Sequence, residues 1–380
     1  MFRLIKRTTM NIARAAITAA SMATLALLVT FGATRAVASI VVDPNATPCV
    51  TATTHYTTIQ AAVSAAPSGA TIQVCPGNYA EQVTITTPLT LKGVSSATNN
   101  TGAAVVTVPS TYTGGQFTQI DIQASGVTLL NIGVDGTNTL SSCDFGPTLT
   151  GVLFDAGSSG ILKEVALRNH YISNGSGGYC DSGTPVLSST ASSVTIIDSS
   201  VRNFDSTGIN LTASTSVSVK TTTVAPVYVP SPLTSNIPNC VYASAPTVVV
   251  SSNTTGNCST GVHIATTVSG TVSGNTIVGY GTFATGYGVI CSFNCIGITV
   301  SGNQIFNTDI GVTMKTSGET GAMVVQNNTI FGTAFGVYLF LQPNNTVSNN
   351  TITDAGVGVY GVTGNTVTGN IYRTVTTLTQ

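Results

Sequence analysis

The sequence predicts an all-β fold, a single-stranded right-handed parallel β-helix (a solenoid) covered at its start by a short N-terminal capping helix. Three observations lead there: a six-residue unit that keeps returning, a second strand pattern between its returns, and a chain in which only 7% of residues are charged. Thr, Val, Ser, Gly and Asn dominate instead, and β-branched residues suit a pleated surface while Gly and Asn supply turns.

The unit is clearest as Val272-Ser-Gly-Asn-Thr-Ile277, and it returns as Val300-Ser-Gly-Asn-Gln-Ile305, Val325-Gln-Asn-Asn-Thr-Ile330, Val347-Ser-Asn-Asn-Thr-Ile352 and Val362-Thr-Gly-Asn-Thr-Val367. Less regular versions begin at Leu129, Leu162, Ile196, Val219 and Val250. The spacing between starts varies from 15 to 34 residues, so a fixed coil carries loops of different length. Each unit can bury its apolar edge only against its neighbours, which is the condition for a solenoid. Parallel stacking would set Asn253, Asn275, Asn303, Asn328, Asn350 and Asn365 one strand spacing apart, as a ladder of amides at a sharp turn. Those asparagines read as structure and not as a site.

Between the units a Gly-Val-x-aliphatic strand recurs, as in Gly151-Val-Leu-Phe154, Gly261-Val-His-Ile264, Gly311-Val-Thr-Met314 and Gly336-Val-Tyr-Leu339. Alternation turns Val337 and Leu339 inward and Tyr338 outward. The outward row then reads Leu153, Asn210, His263, Ile290, Thr313, Tyr338 and Tyr360, without a carboxylate.

Taken in order, residues 1–38 read as a secretory signal: Arg3, Lys6, Arg7 and Arg14 lead an apolar run from Ala15 to Ala33, and Ala36-Val-Ala38 is a cleavage-type tripeptide. The expected product is secreted, whether extracellular, periplasmic or at the cell surface, with no membrane span in the mature chain. Five of the 12 basic residues lie in that leader, leaving seven against all 13 acidic ones, a net charge of −6. Such a surface has no electrostatic basis for binding nucleic acid. Residues 39–380 form one β-helix domain. Within it Tyr56-Thr-Thr-Ile-Gln-Ala-Ala-Val predicts the capping helix at about 57–66, with Thr57 or Thr58 as N-cap and Pro67-Ser-Gly69 as stop; repeats fill about 71–370.

All eight cysteines lie beyond the leader, an even number that favours disulfides in an exported chain. Chain order suggests Cys49–Cys75, Cys143–Cys180, Cys240–Cys258 and Cys291–Cys295, among 105 possible pairings. Cys291-Ser-Phe-Asn-Cys295 resembles half a zinc site but has no second thiol pair or histidine near it in sequence, so no metal site is expected.

The run from Tyr56 to Val63, then Ala66-Pro-Ser-Gly-Ala-Thr-Ile-Gln-Val-Cys-Pro-Gly-Asn-Tyr-Ala-Glu81 and Leu89-Thr-Leu-Lys-Gly93, resembles the opening of pectin-lyase-like right-handed parallel β-helix proteins. The downstream units resemble the β-helix repeats of that superfamily, and asparagine ladders are typical of its turns. The resemblance implies the fold and an extracellular polysaccharide as partner. It implies no single activity, since the superfamily includes lyases, hydrolases, esterases, epimerases and non-enzymes. The Asn-Thr-Asp, Asp-Asp and Gly-His-Gly set of polygalacturonase-like hydrolases is missing. Gly77-Asn-Tyr-Ala-Glu81 is similar to the start of pectin methylesterases, but their Gln-Asp-Thr and Gly-Arg-Pro-Trp motifs are missing too.

Two constellations remain. Aligned repeats stack Asn131, Glu164 and Asp198 in one column and Asp135, Arg168 and Arg202 in another, with Lys163, His170 and Asp205 nearby. Arg168 or Arg202 could neutralise a uronate while Lys163 or His170 takes the proton, a lyase arrangement walled by loops 136–150 and 170–190; Ca²⁺ would enter only in that case. The alternative for these charges is cross-coil salt bridges, Asp135 to Arg168 above all. The other constellation is His263, Tyr338 and Tyr360, where aromatic faces could hold sugar rings or simply pair across strands. The expected function is an exported protein that binds or acts on polysaccharide, leaning to a non-catalytic binding or surface role. A lyase on an acidic glycan and a purely structural or adhesive solenoid are the alternatives.

Overall fold

The computed structural model describes residues 39–45, 49–95, 103–144, 146–227, 238–280, 286–315, 322–339 and 342–380. The leader read at 1–38 and most of the Pro226–Pro232 loop lie outside the described residues. Ser39–Gln380 is one compact unit. Among the described residues it contains 33 strands in one continuous hydrogen-bonded array. Their pairings are parallel, and each coil's strands pair with those of the coils before and after it. This is a right-handed parallel β-helix.

The register follows the repeat. Ile72, Leu91, Leu129, Leu162 and Ile196 stand in one column, which continues through Val219, Val250, Val272, Val300, Val325 and Val347. These side chains are buried, as aliphatic groups at an inward alternate position should be. The last repeat differs from its expected position. Val347 pairs with Val367, not Val362, so the final unit is Val367-Thr-Gly-Asn-Ile-Tyr372. A 15-residue circuit has too few residues for three strands and their turns, and the overlapping Val-Thr-Gly-Asn copy is the one that completes the coil.

The asparagine ladder shifts accordingly. Asn253, Asn275, Asn303, Asn328 and Asn350 pass amide hydrogen bonds from one coil to the next, and Asn370 receives the last one. Asn365 belongs to a second, short ladder with Asn345. At the other end Thr222 donates its backbone N–H to Asn253 Oδ1. The residue before each rung sits in the left-handed region: Ser252, Gly274, Gly302, Asn327, Asn349 and Gly369, and upstream Asn131, Glu164 and Asp198. The Asn131–Glu164–Asp198 column is therefore the left-handed position of the turn, which Asn and Asp tolerate.

The recurring glycine of the second strand has a steric reason. A Cβ on Gly311 would come within 2.5 Å of the Gly336 carbonyl oxygen, and one on Gly336 within 2.6 Å of that of Gly358. Where Cys240 stands in this column, its sulfur turns aside into the disulfide with Cys258.

The capping helix α1, Ile59–Ala65, follows N-cap Thr58, whose hydroxyl accepts from Ala61 N. Ile59, Ala62 and Val63 are buried against the first coils, closing the apolar end. Glu81 holds the helix from outside, accepting from Ile59 N at 2.8 Å and Gln60 N at 2.9 Å. The four disulfides join Cys49–Cys75, Cys143–Cys180, Cys240–Cys258 and Cys291–Cys295.

Candidate functional site

On the early coils the stacked charges pair with each other. Arg168 Nε donates to Asp135 Oδ2 at 2.8 Å. Asp135 also accepts from Thr137 N and Oγ1 and from Asn169 Nδ2. Burial works to raise the Asp135 pKa, but the Thr137 and Asn169 hydrogen bonds and the Arg168 charge together hold it below the usual carboxylate range. Arg202, in register with Arg168, is exposed and donates to Ser200 Oγ at 3.1 Å. Lys163 lies before the turn at Glu164 and pairs loosely with it at 3.7 Å, while Arg168 lies after that turn.

His170 is fully buried. Gln119 Nε2 is held by the carbonyls of Val106 and Asp135, so its oxygen faces the imidazole and His170 Nε2–H donates to it at 2.8 Å. Nδ1 is left as a buried acceptor without a partner. Burial drives the ring to a pKa of about 3, so it is neutral at any pH near 7. Asp205 accepts from Ile172, Ser182 and Gly183 N–H groups and is likewise buried. Burial raises its pKa. These two groups fasten the loops; they do not face solvent.

Cys143–Cys180 ties the 136–147 stretch to the 171–182 stretch. Beside it lies a shallow groove of about 360 Å³, floored by Phe117, Leu153 and Leu187 and bordered by Thr150, Thr184 and Asp181. Asp181 is the one charged residue lining it. Lys163, Arg168 and Arg202 are not among its lining residues.

The outward row is longer than the Gly-Val pattern suggests. In register it runs Asp121, Leu153, Leu187, Asn210, Tyr242, His263, Ile290, Thr313, Tyr338, Tyr360, but Ile290 and Thr313, expected to face outward, are buried, and Thr313 Oγ1 donates to Tyr338 O. Leu187 and Tyr242 were hidden because Pro185 and Cys240 replace the glycine before them, and Asp121 places a carboxylate on a row expected to have none. Burial raises the pKa of Asp121, the Gln123 hydrogen bond lowers it, and nearby Asp155 raises it further.

Aromatic groups gather towards the end of the row. The rings of Tyr338 and Tyr360 stack with centroids 4.8 Å apart and planes 7° from parallel. Phe335 meets both edge-on, at 5.1 Å and 5.9 Å. His263 packs edge-on against Tyr242 at 5.0 Å, and its Nε2 lies 2.6 Å from Ser292 Oγ. Sequence reading brought Tyr338 and Tyr360 together correctly and missed Phe335, which lies outside the alternation it used. His263 is separated from that pair by the coils of Ile290 and Thr313.

Residues 233–377 match a family model described as Periplasmic copper-binding protein (NosD). A search of curated proteins gave no match. Among solved structures, the catalytic domain of a GH87 alpha-1,3-glucanase variant in complex with tetrasaccharides is similar over 88% of this chain and 69% of its own. Their identity is 12% and the TM-score is 0.52, a likeness of fold. A double mutant of the periplasmic alginate epimerase AlgG is similar over 79% of this chain, at 14% identity and a TM-score of 0.48. Bacteriophage phi29 gene product 12 is similar over 81%, at 11% identity and a TM-score of 0.45. This chain spans 65% and 53% of those two proteins, less than two thirds of each.

Copper sites draw on His, Cys and Met donors. Within residues 233–377 these are His263, Met314, Met323 and four cysteines, all four in disulfides. Met314 and Met323 are fully buried in the core. Among the described residues no three His, Cys, Asp or Glu side chains gather where they could hold a metal ion. The donor set does not fit a copper centre.

Proposed function

We propose, from the premise that this chain is a right-handed parallel β-helix of the pectin-lyase-like superfamily, that it is an exported protein that binds polysaccharide through the aromatic cluster of its late coils. The observation that carries this reading is the grouping of Phe335, Tyr338 and Tyr360 on the outward side of adjacent coils. Rings stacked along the solenoid present their edges and hydroxyls at the coil spacing, and an amphipathic surface of this kind suits the alternating C–H and O–H groups of a sugar chain. The nearby part of the row, from Tyr242 to Tyr360, contains no carboxylate, which favours binding over cleavage. Four disulfides and an export-type leader support a place outside the cytoplasm. Among the described residues no helix is long and apolar enough to cross a membrane.

The test is a glycan array on the purified mature protein beside Tyr338→Ala and Tyr360→Ala. The reading expects retention of at least one polysaccharide class and its loss in either variant; retention unchanged in both variants would overturn it. A second reading rests on Asp121, the carboxylate that strand register places on the outward row, as a group for glycoside hydrolysis. It predicts release of reducing ends that stops in Asp121→Asn. Absorbance near 235 nm on acidic polysaccharides, with and without Ca²⁺, checks the lyase alternative at Lys163, Arg168 and Arg202.

A further inference from the structure

The coil has three sides, and one of them is uniform where the other two are mixed. It is built from the strands that precede the asparagine turn. In the late coils these are Thr247–Ser251, Ser269–Ser273, Ile298–Ser301, Met323–Gln326, Thr346–Ser348 and Thr366–Thr368. They pair in register, with no bulge between them. Their outward column reads Val249, Thr271, Thr299, Val324, Thr346, Thr366, and every one of these residues is β-branched. Ser251, Ser273 and Ser301 stand in the next outward column. None of the six strands carries a charged residue.

Strand preference alone does not account for this, because it acts on all three sides alike. One neighbouring side is the outward row from Asp121 to Tyr360, with its carboxylate, histidine and tyrosines. The other has a threonine-rich column that includes Thr254, Thr276 and Thr329, but Val278, Phe306, Phe331 and Arg373 stand beside it. On the uniform side the hydroxyls of Thr271, Thr299, Thr346 and Thr366 make no hydrogen bond to another described residue. None of them is a buried atom without a partner, so all four open to solvent. β-Branching restricts the rotamers, so each methyl and hydroxyl keeps its place. Parallel strands repeat at about 4.8 Å and alternate residues along a strand at about 6.6 Å, so these six coils form a two-dimensional lattice roughly 24 Å long.

We propose that this side of the solenoid binds ice. Ice holds its oxygen atoms on a fixed lattice with repeats close to these two spacings, whereas liquid water has no lattice to match. The threonine hydroxyls donate to and accept from lattice waters. The γ-methyl, the group that Thr and Val share, orders the water between them. Charged side chains would keep hydration shells of their own, and these strands have none. They also carry no aromatic ring and no carboxylate, the groups that would hold a sugar. The face thus lies apart from the aromatic cluster, and its ligand does not depend on the polysaccharide reading above.

Two measurements test it: inhibition of ice recrystallisation, and adsorption of the fluorescently labelled mature protein to a growing ice hemisphere. The variants are Thr271→Lys, Thr346→Lys and, as a control on the neighbouring side, Thr329→Lys. The wild type should stop the coarsening of ice grains and coat the growing ice. Thr271→Lys and Thr346→Lys each put a charge and a long side chain into the column at a position open to solvent, and should abolish both effects while melting at the wild-type temperature. They lie on different coils, so the failure of one to fold leaves the other to decide. Thr329→Lys adds the same charge at an exposed threonine beyond the turn and should act as the wild type does. A wild-type protein that neither stops grain growth nor adsorbs to ice would overturn the proposal. So would full activity in both Thr271→Lys and Thr346→Lys, or an effect lost only in Thr329→Lys.

Discussion

Asn303 donates its side-chain amide to Asn328 Oδ1 at 2.9 Å while its own oxygen accepts from Asn275 Nδ2 at 2.9 Å, so each rung of the ladder depends on the ones above and below. Asn303 Nδ2 also donates to Val272 O, and its Oδ1 accepts from Asn275 N. Asn303→Ala leaves several of these buried groups without partners. At about 1 kcal/mol or more for each, the expected loss is roughly 3–4 kcal/mol of unfolding free energy. Asn370→Ala, at the end of the ladder and partly exposed, should cost about 1 kcal/mol. Urea denaturation of both variants measures the difference; equal losses would contradict a cooperative ladder.

Asp135 and Arg168 should respond unequally to mutation. The Arg168 side chain is 39% exposed, so Arg168→Ala should cost no more than about 1 kcal/mol. Asp135→Ala removes an acceptor that serves Thr137, Asn169 and Arg168 at a mostly buried site, and about 2–3 kcal/mol is expected. The folded pKa of Asp135 lies below its unfolded value. Its contribution is thus present above an unfolded pKa of about 3.9 and disappears as pH falls through the folded value. Melting curves taken between pH 5 and pH 2 should show the wild type converging on Asp135→Ala only at the acid end.

His170 gives a different window. Its folded pKa of about 3 lies below an unfolded value near 6.5, so the unfolded chain binds a proton in that interval and the folded chain does not. Stability is full above about pH 6.5 and falls as pH is lowered towards 3, by up to about 1.4 kcal/mol per pH unit for one proton. His263, lowered in pKa by its own burial, adds to the same slope. His170→Gln should remove part of that slope between pH 6.5 and pH 4. A variant with the wild-type slope would show that the buried ring does not govern it.

The coil path was legible because its signal is repeated. From Leu129 to Val347 each aliphatic start found in the sequence stands in register in the structure. It failed at 362, where two overlapping Val-Thr-Gly-Asn runs compete and only circuit length decides between them. Site chemistry was less legible for two reasons. Pro185 and Cys240 broke the glycine signature that would have placed Leu187 and Tyr242 on the outward row. His170 looked like a base beside Arg168, but it lies at the buried end of its strand, where alternation alone does not say whether a loop covers it.

Glu81 offers the sharpest test of the cap. Helix α1 has only seven residues, too short to persist without tertiary support. Its first N–H groups at Ile59 and Gln60 both point to the Glu81 carboxylate, while Gln60 Oε1 accepts from Thr84 N at 2.6 Å and fastens the first turn to the coil beneath. Glu81→Gln keeps one acceptor oxygen but loses the second and the charge, and should cost about 1 kcal/mol; Glu81→Ala should cost about 2 kcal/mol. Because the helix covers the open end of the core, the loss should be local before it is global. Hydrogen exchange at the amides of Ile59–Ala65 should accelerate in Glu81→Ala, while exchange at the Asn303 and Asn328 amides, many coils away, keeps its wild-type protection until the whole solenoid melts. Uniform acceleration along the chain would mean that the cap and the distant coils unfold as one cooperative unit.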